Sequence, residues 1–167
     1  TLAIALALVW AIAPPLATAQ KATKPAAAPA KPAAPATRIE KDLLGEKSIP
    51  ADAYYGVQTQ RGMDNFRITG VPMSAEPEFV RAFGYVKKAA ALANRDLGVL
   101  DAKVANAIAA ACDRLIAGEM REQFLTDFIQ GGAGTSTNMN ANEVIANLAL
   151  EHLGHAKGEY QFVNPND

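Results

Sequence analysis

Apolar residues recur along this chain with two different rhythms. From Glu78 to Leu97, the residues Phe79, Phe83, Val86, Ala90, Ala93 and Leu97 fall at steps of three and four, and Gly98 follows. That spacing predicts an amphipathic helix with those six residues on its buried face and glycine as its stop. A second helix is predicted beyond it. Asp101 is suited to cap it, its face is Val104, Ile108, Ala111 or Cys112, and Leu115, and Gly118 ends it. A third runs from about Ala141 to Leu153, with Val144, Ile145, Leu148 and Leu153 apolar and Gly154 terminating it. Arg38 to Gly70 has no such rhythm. Its scattered apolar residues, Pro50 and glycines at 45, 56, 62 and 70 predict irregular chain with short turns. The expected fold class is mainly α.

The other rhythm is continuous. Leu2 to Ala13 is an unbroken apolar run closed by Pro14 and Pro15. As a helix it would reach roughly 18 Å, too short for a hydrocarbon core of about 30 Å, so no stable membrane span is expected. The run resembles the hydrophobic region of a secretory signal, with Ala17-Thr18-Ala19 supplying small residues at a cleavage site over 1–19. The sequence opens at Thr1 without a charged region, which reads as a clipped start; a frayed hydrophobic tail or a mis-called start codon is the competing reading. Gln20 to Thr37 contains only Ala, Pro, Lys, Thr and Gln, and its four prolines break any helix the alanines could start. It is expected to be an extended, disordered linker. The folded part is then 38–167.

Composition narrows the chemistry. The 167 residues carry 16 basic and 17 acidic side chains, for a net charge of −1. Setting aside Lys21, Lys24 and Lys31 of the linker leaves 13 basic against 17 acidic residues in Arg38–Asp167. A mildly acidic domain argues against nucleic acid as a partner, because phosphate binding needs a concentrated basic face. One cysteine excludes an internal disulfide. Cys112 lies on the predicted buried stripe of its helix, where a packed, inert thiol is expected. His152 and His155 have i,i+3 spacing, but no acidic or thiol partner follows in pattern, and no metal site is expected.

The segment with chemical character is Gln130–Asn142, QGGAGTSTNMNAN, immediately before the third predicted helix. Gly131, Gly132 and Gly134 allow close backbone approach to a ligand or positive φ. Thr135, Ser136, Thr137, Asn138, Asn140 and Asn142 add hydroxyls and amides in a tight run. Backbone N–H groups at a helix start carry partial positive charge and favour anions, so the segment can hold a carboxylate or phosphate. It lacks the lysine and the glycine spacing of a P-loop. Ser, Thr and Asn also serve as ordinary turn and cap residues, and on chemistry alone the two readings divide evenly.

Four segments carry a resemblance. They are RIEKDLLGEKSIPADAYYGVQTQR from Arg38, VKKAAALAN from Val86, GGAGTSTNMNANEVIAN from Gly131, and KGEYQFVNPND from Lys157. Together, and in this order, they resemble the N-terminal domain of the aspartase/fumarase superfamily, with the glycine-threonine-asparagine segment its most specific marker. The aspartase branch fits better than class II fumarases. Fumarases are similar to G-S-G-T-Q where this chain has Gly132-Ala133-Gly134-Thr135-Ser136, and to H-P-N-D where it has Asn164-Pro165-Asn166-Asp167. That histidine belongs to the fumarase secondary carboxylate site. Asp42-Leu43-Leu44-Gly45 and Ala53-Tyr54-Tyr55-Gly56 also follow aspartases, whereas Gln58-Thr59-Gln60-Arg61 leans to fumarases.

The resemblance implies reversible elimination of ammonia from L-aspartate to give fumarate. A base removes a weakly acidic proton beside the side-chain carboxylate, and the aci-carboxylate-like intermediate needs dense hydrogen-bond donation. By the match, Thr135 contacts substrate carboxylate with Ser136 beside it, while Gly132, Gly134, Asn140 and Asn142 shape the loop. The family implies no cofactor, with divalent-cation activation in some relatives, and a homotetramer with composite active sites. Its serine base, second substrate segment and catalytic-site histidine fall beyond Asp167, so the 167 residues are expected to be an N-terminal fragment without a catalytic residue of their own. The alternatives are a class II fumarate hydratase and a non-catalytic, truncated binding module. Export from the signal-like start is expected, against a cytoplasmic family norm; a retained start would instead make a membrane-tethered lyase.

Overall fold

A computed structural model of the chain describes residues 36–166. The signal-like segment and nearly all of the linker lie outside the described residues. Among those described, two strands and four helices follow in order: β1 (Thr37–Asp42), β2 (Gly45–Pro50), α1 (Val57–Asn65), α2 (Pro77–Asp96), α3 (Ala102–Ile116) and α4 (Thr135–His152). Single 3₁₀ turns at Met73–Ala75 and Arg121–Gln123 punctuate the connections. The mainly helical expectation holds. None of these helices is long and apolar enough to cross a membrane.

The irregular chain expected over 38–70 is in fact a hairpin and a helix. β1 and β2 pair antiparallel from Thr37↔Pro50 to Asp42↔Gly45, so the first strand begins on the last residue assigned to the linker. The turn is Leu43-Leu44, closed by Gly45 at φ +108° and by a 2.9 Å bond from the Leu44 N–H to Asp42 Oδ1. The strand was hidden because its polarity is inverted: Ile39 is 63% exposed while Glu40 is buried. Arg38 makes that inversion affordable. Its guanidinium donates to Glu40 at 2.9 Å and to the carbonyls of Pro50, Ala53 and Tyr55 at 2.7–2.9 Å. Arg61 of α1 then grips Asp42 through two 2.8 Å bonds, fastening the hairpin to the helix.

α3 follows its sequence signals closely. Asp101 accepts from the N–H groups of Lys103 and Val104, Gly118 takes φ +90°, and Ile108, Ala111, Cys112 and Leu115 are buried. α2 has the expected extent but a different buried face. Val80, Gly84 and Ala91 turn inward, whereas Phe79, Val86 and Leu97 stand 47%, 63% and 76% exposed and Ala90 and Ala93 are exposed too. The reason is proximity to α3: a Cβ on Gly84 would sit 2.9 Å from Ile116 Cγ1 and 3.0 Å from the Cys112 carbonyl oxygen. Small residues allow the two helices this contact, and the larger apolar residues are rotated off it.

α4 is the centre of the unit. It packs against α1 and α3, and eleven of its eighteen residues are buried. Val144, Ala149 and Leu150 join Ile49, Leu115, Phe124 and Val163 at the centre of the core, each of the seven at most 1% exposed. Fully burying a side chain of this size stabilises by roughly 1.5–3 kcal/mol. The helix begins at Thr135, six residues before the predicted start at Ala141, and ends as expected where Gly154 takes φ +85°.

Candidate functional site

The early start of α4 changes the character of the glycine-rich segment. Thr135 to Asn140 form helical turns instead of a loop, and Gly131–Gly134 bend the chain into them. Gly134 occupies the N-cap at φ +82°, and Gly132 lies at φ +84°. Nothing lies within 4 Å of a Cβ built on either, so glycine is required there by backbone conformation alone. A glycine at the N-cap brings no side-chain acceptor of its own to the helix start. The N–H groups of the first helical turn, which have no partner inside a helix, are therefore presented at its open end.

These N–H groups do not share one fate. Thr137 N–H donates at 3.0 Å to the side-chain oxygen of Gln130, seven residues back. Gln130 in turn donates from Nε2 to the Asp127 carbonyl at 3.2 Å and to Thr137 Oγ1. Thr137 is buried and its hydroxyl also lies 3.2 Å from Thr126 Oγ1. One turn on, fully buried Asn140 donates to the Gln123 carbonyl at 2.9 Å and accepts the Leu125 N–H at 3.0 Å. The chain from Gln123 to Gln130 is thus strapped along the first two turns of α4. Asp127 anchors the strap. Its carboxylate accepts the N–H groups of Ile68, Thr69, Gly70 and Ile129 and the Thr69 hydroxyl. Burial alone would raise its pKa, but these donors outweigh burial and hold the group at about 2.

The other candidate residues part company here. Thr135 is exposed and lines an open groove with Lys41, Asp42, Gln58, Met139, Glu143 and Asn164. Ser136 faces α1 instead: a Cβ on Gly62 would come within 3.0 Å of its Cβ. Asn142 is half-buried, lines a separate small cavity with Lys87 and Asn94, and reaches Met139 Sδ at 3.8 Å. Lys87 projects from α2 towards the same turn and donates to Asn138 Oδ1 at 2.7 Å. Desolvation lowers its pKa, and its partner is a neutral amide. In the sequence Lys87 falls within VKKAAALAN, a segment that carries the resemblance but implies no role for it.

A second feature was missed outright. Glu143 is 1% exposed inside the apolar stretch of α4, with its carboxylate against the start of α1. It accepts from Gly56 N–H at 2.9 Å, Gln58 N–H at 2.7 Å, Thr59 N–H at 3.0 Å and the Thr59 hydroxyl at 2.6 Å. Burial raises its pKa against the pull of those donors. Glu40 accepts the remaining Val57 N–H at 2.9 Å and lies 3.2 Å from Tyr160 Oη. Gly56 has no room for a side chain, since a Cβ would approach Glu40 Oε2 and Tyr160 Oη to 2.5 Å. An acid breaking an apolar run was the signal that could have found this cluster. The N-terminus of α1 is therefore filled by the protein's own carboxylates, while that of α4 is left open.

Cys112 is fully buried and its thiol is pushed up to about 12, mainly by desolvation. His152 ends α4, and His155 stacks on Phe162 with ring centres 3.8 Å apart. Among the described residues, no group of three or more His, Cys, Asp or Glu side chains is placed to hold a metal ion.

Comparison with known proteins gives this geometry a context. Residues 45–167 match the sequence profile of a family described as Lyase. The chain is 62% identical over 131 residues to an aspartate ammonia-lyase from Pseudomonas aeruginosa, covering 78% of this chain and 28% of that protein. It is 58% identical over 131 residues to an aspartate ammonia-lyase from Escherichia coli K12, covering 27% of it. Among solved structures, a fumarate lyase:delta crystallin from Brucella melitensis superposes with a TM-score of 0.78 at 56% identity, over 79% of this chain and 29% of that one. A class II fumarase from Schistosoma mansoni gives 0.69 at 33% identity, over 74% and 26%. The chain spans little more than a quarter of the length of these relatives.

Proposed function

The chain belongs to the lyase family, and on that premise we propose that the protein carrying it is an aspartate ammonia-lyase, eliminating ammonia reversibly from L-aspartate to give fumarate. One observation carries the choice within the family. Identity is 58–62% to aspartate ammonia-lyases but 33% to a class II fumarase over a similar share of the chain.

The role of the described residues follows from the open N-terminus of α4. Thr135 offers a hydroxyl in the groove, and the first-turn N–H groups add a partial positive charge of roughly half a unit. Such a turn binds a substrate carboxylate. It also stabilises the negative charge that accumulates when the proton on the adjacent carbon is removed, since fixed dipoles need not reorganise as charge develops. Ser136 contributes its backbone N–H, its side chain being directed at α1. Gly132 and Gly134 supply the left-handed bends that expose the turn. Asn140 holds the strap, and Asn142 lies two residues further along the helix. The proton-abstracting base is assigned to the part of the family fold that follows these residues, in a homotetramer with composite sites.

The N-terminal organisation belongs to the same reading: a signal-like segment over 1–19, a linker from 20 to the start of β1, and export of the lyase domain. Class II fumarase remains the second reading, favoured by Gln58-Thr59-Gln60-Arg61, although Gln58 and Arg61 both serve here to hold Asp42. The test is to express the full-length open reading frame and follow fumarate from L-aspartate and from L-malate separately. Fumarate from aspartate alone is expected. Fumarate from malate alone would assign the chain to the fumarases.

A further inference from the structure

We infer that Gln130 is a positioning residue for the carboxylate-binding turn: it occupies the Thr137 N–H with a neutral amide, so that the N–H groups of Thr135 and Ser136 stay open and correctly aimed. The inference rests on the lyase reading and deepens it.

The first N–H groups of α4 lack intrahelical partners, and a usual cap residue would satisfy the second or third of them with its own side chain. Here the cap is Gly134, which has no side chain to offer. The Thr137 N–H is the third in line and its residue is buried, so leaving it bare would be destabilising. Gln130 takes that N–H at 3.0 Å from outside the helix. It does so without covering the second N–H, that of Ser136, which a cap side chain at 134 could take instead.

Charge is the second part. A Glu at this position could accept the same N–H, and the helix dipole would favour it. A carboxylate beside this turn would, however, repel an anionic substrate. An amide satisfies the N–H with no net charge. It also carries a donor, and Gln130 uses it on the Asp127 carbonyl and on Thr137 Oγ1. Rigidity is the third part. The amide is held at both ends, and Asp127 is itself fixed by five donors from residues 68–70 and 129. The turn therefore inherits its position from a scaffold that is already fully bonded, which is what a preorganised anion site needs.

The test uses the full-length protein with Gln130→Glu and Gln130→Met. Gln130→Glu keeps an acceptor for the Thr137 N–H, and the Thr137 hydroxyl can turn to donate to it. KM for L-aspartate is expected to rise about tenfold or more, with kcat changed less than threefold, because a fixed negative charge opposes substrate binding. The increase should shrink as salt is raised from low to high. Gln130→Met removes the cap without adding charge, and should lower kcat/KM about tenfold or more with no added salt dependence. Binding of succinate, measured calorimetrically, should follow the salt dependence of KM.

A KM for Gln130→Glu within twofold of wild type would overturn the inference, and so would a salt-independent increase. A wild-type protein that neither converts aspartate nor binds succinate would instead overturn the lyase reading itself.

Discussion

Replacing Glu143 tests whether the buried carboxylate holds α1 in place. Its two oxygens carry unequal loads: Oε2 accepts Gly56 N–H, Thr59 N–H and the Thr59 hydroxyl, while Oε1 accepts only Gln58 N–H. In Glu143→Gln the amide oxygen can keep the three-donor position. The amide NH2 then faces the Gln58 N–H, so one donor loses its acceptor at a cost of about 1–3 kcal/mol. Glu143→Ala strips all four donors, three of them buried, and leaves a void in the core. Partial entry of water limits the sum, and about 3–5 kcal/mol is expected, the range for breaking a buried charged network. Hydrogen exchange on peptides spanning 56–60 reads the effect locally. A loss of about 3 kcal/mol speeds exchange there roughly a hundredfold, if opening is local. The pH dependence has a definite sign. Burial raises the Glu143 pKa, so its stabilising contribution is full below the ordinary carboxylate value of about 4.3 and declines as pH rises through the raised value. Glu143→Gln should flatten that decline. Unchanged exchange at 56–60 in both variants would refute the account of this cluster.

Two other groups respond in ways that can be stated in advance. The Asp127 pKa is held near 2 by its donors, so its contribution is full above about 3.9 and is lost as pH falls towards 2; Asp127→Asn should remove that acid limb from a thermal-melt series. Cys112, with its thiol near 12 and no exposure, has roughly one part in ten thousand as thiolate at pH 8 and should resist a thiol-labelling reagent until the protein is unfolded.

How far the sequence could be read depended on whether local chemistry or tertiary contact decided each element. α3 was legible because its cap, its stripe and its stop are all local: Asp101, Ile108 to Leu115, and Gly118. α2 was legible in extent but not in face. Its apolar residues outnumber one stripe, and the choice among them is made by Gly84 against α3, which no periodicity reveals. The hairpin was illegible because Arg38 and Glu40 point inward and Ile39 outward, supported by carbonyls twelve or more residues away. At the site, Thr135 and the glycines could be picked out from their residue types alone. The start of the helix at Thr135 could not, since its cap comes from Gln130 across a bend of glycines, and Ser, Thr and Asn in such a setting read as turn residues. Glu143 was overlooked because a single acid in an apolar helix is readily assigned to a solvated face.

The central claim is that Thr135, at the open N-terminus of α4, binds substrate carboxylate in an ammonia-lyase. Fumarate release from L-aspartate by the full-length protein, measured side by side for wild type and Thr135→Val, tests it most directly. The account predicts turnover by wild type and a loss of about a hundredfold or more in the variant, the usual cost of removing one donor from a site of developing charge. Equal rates from the two proteins would contradict it.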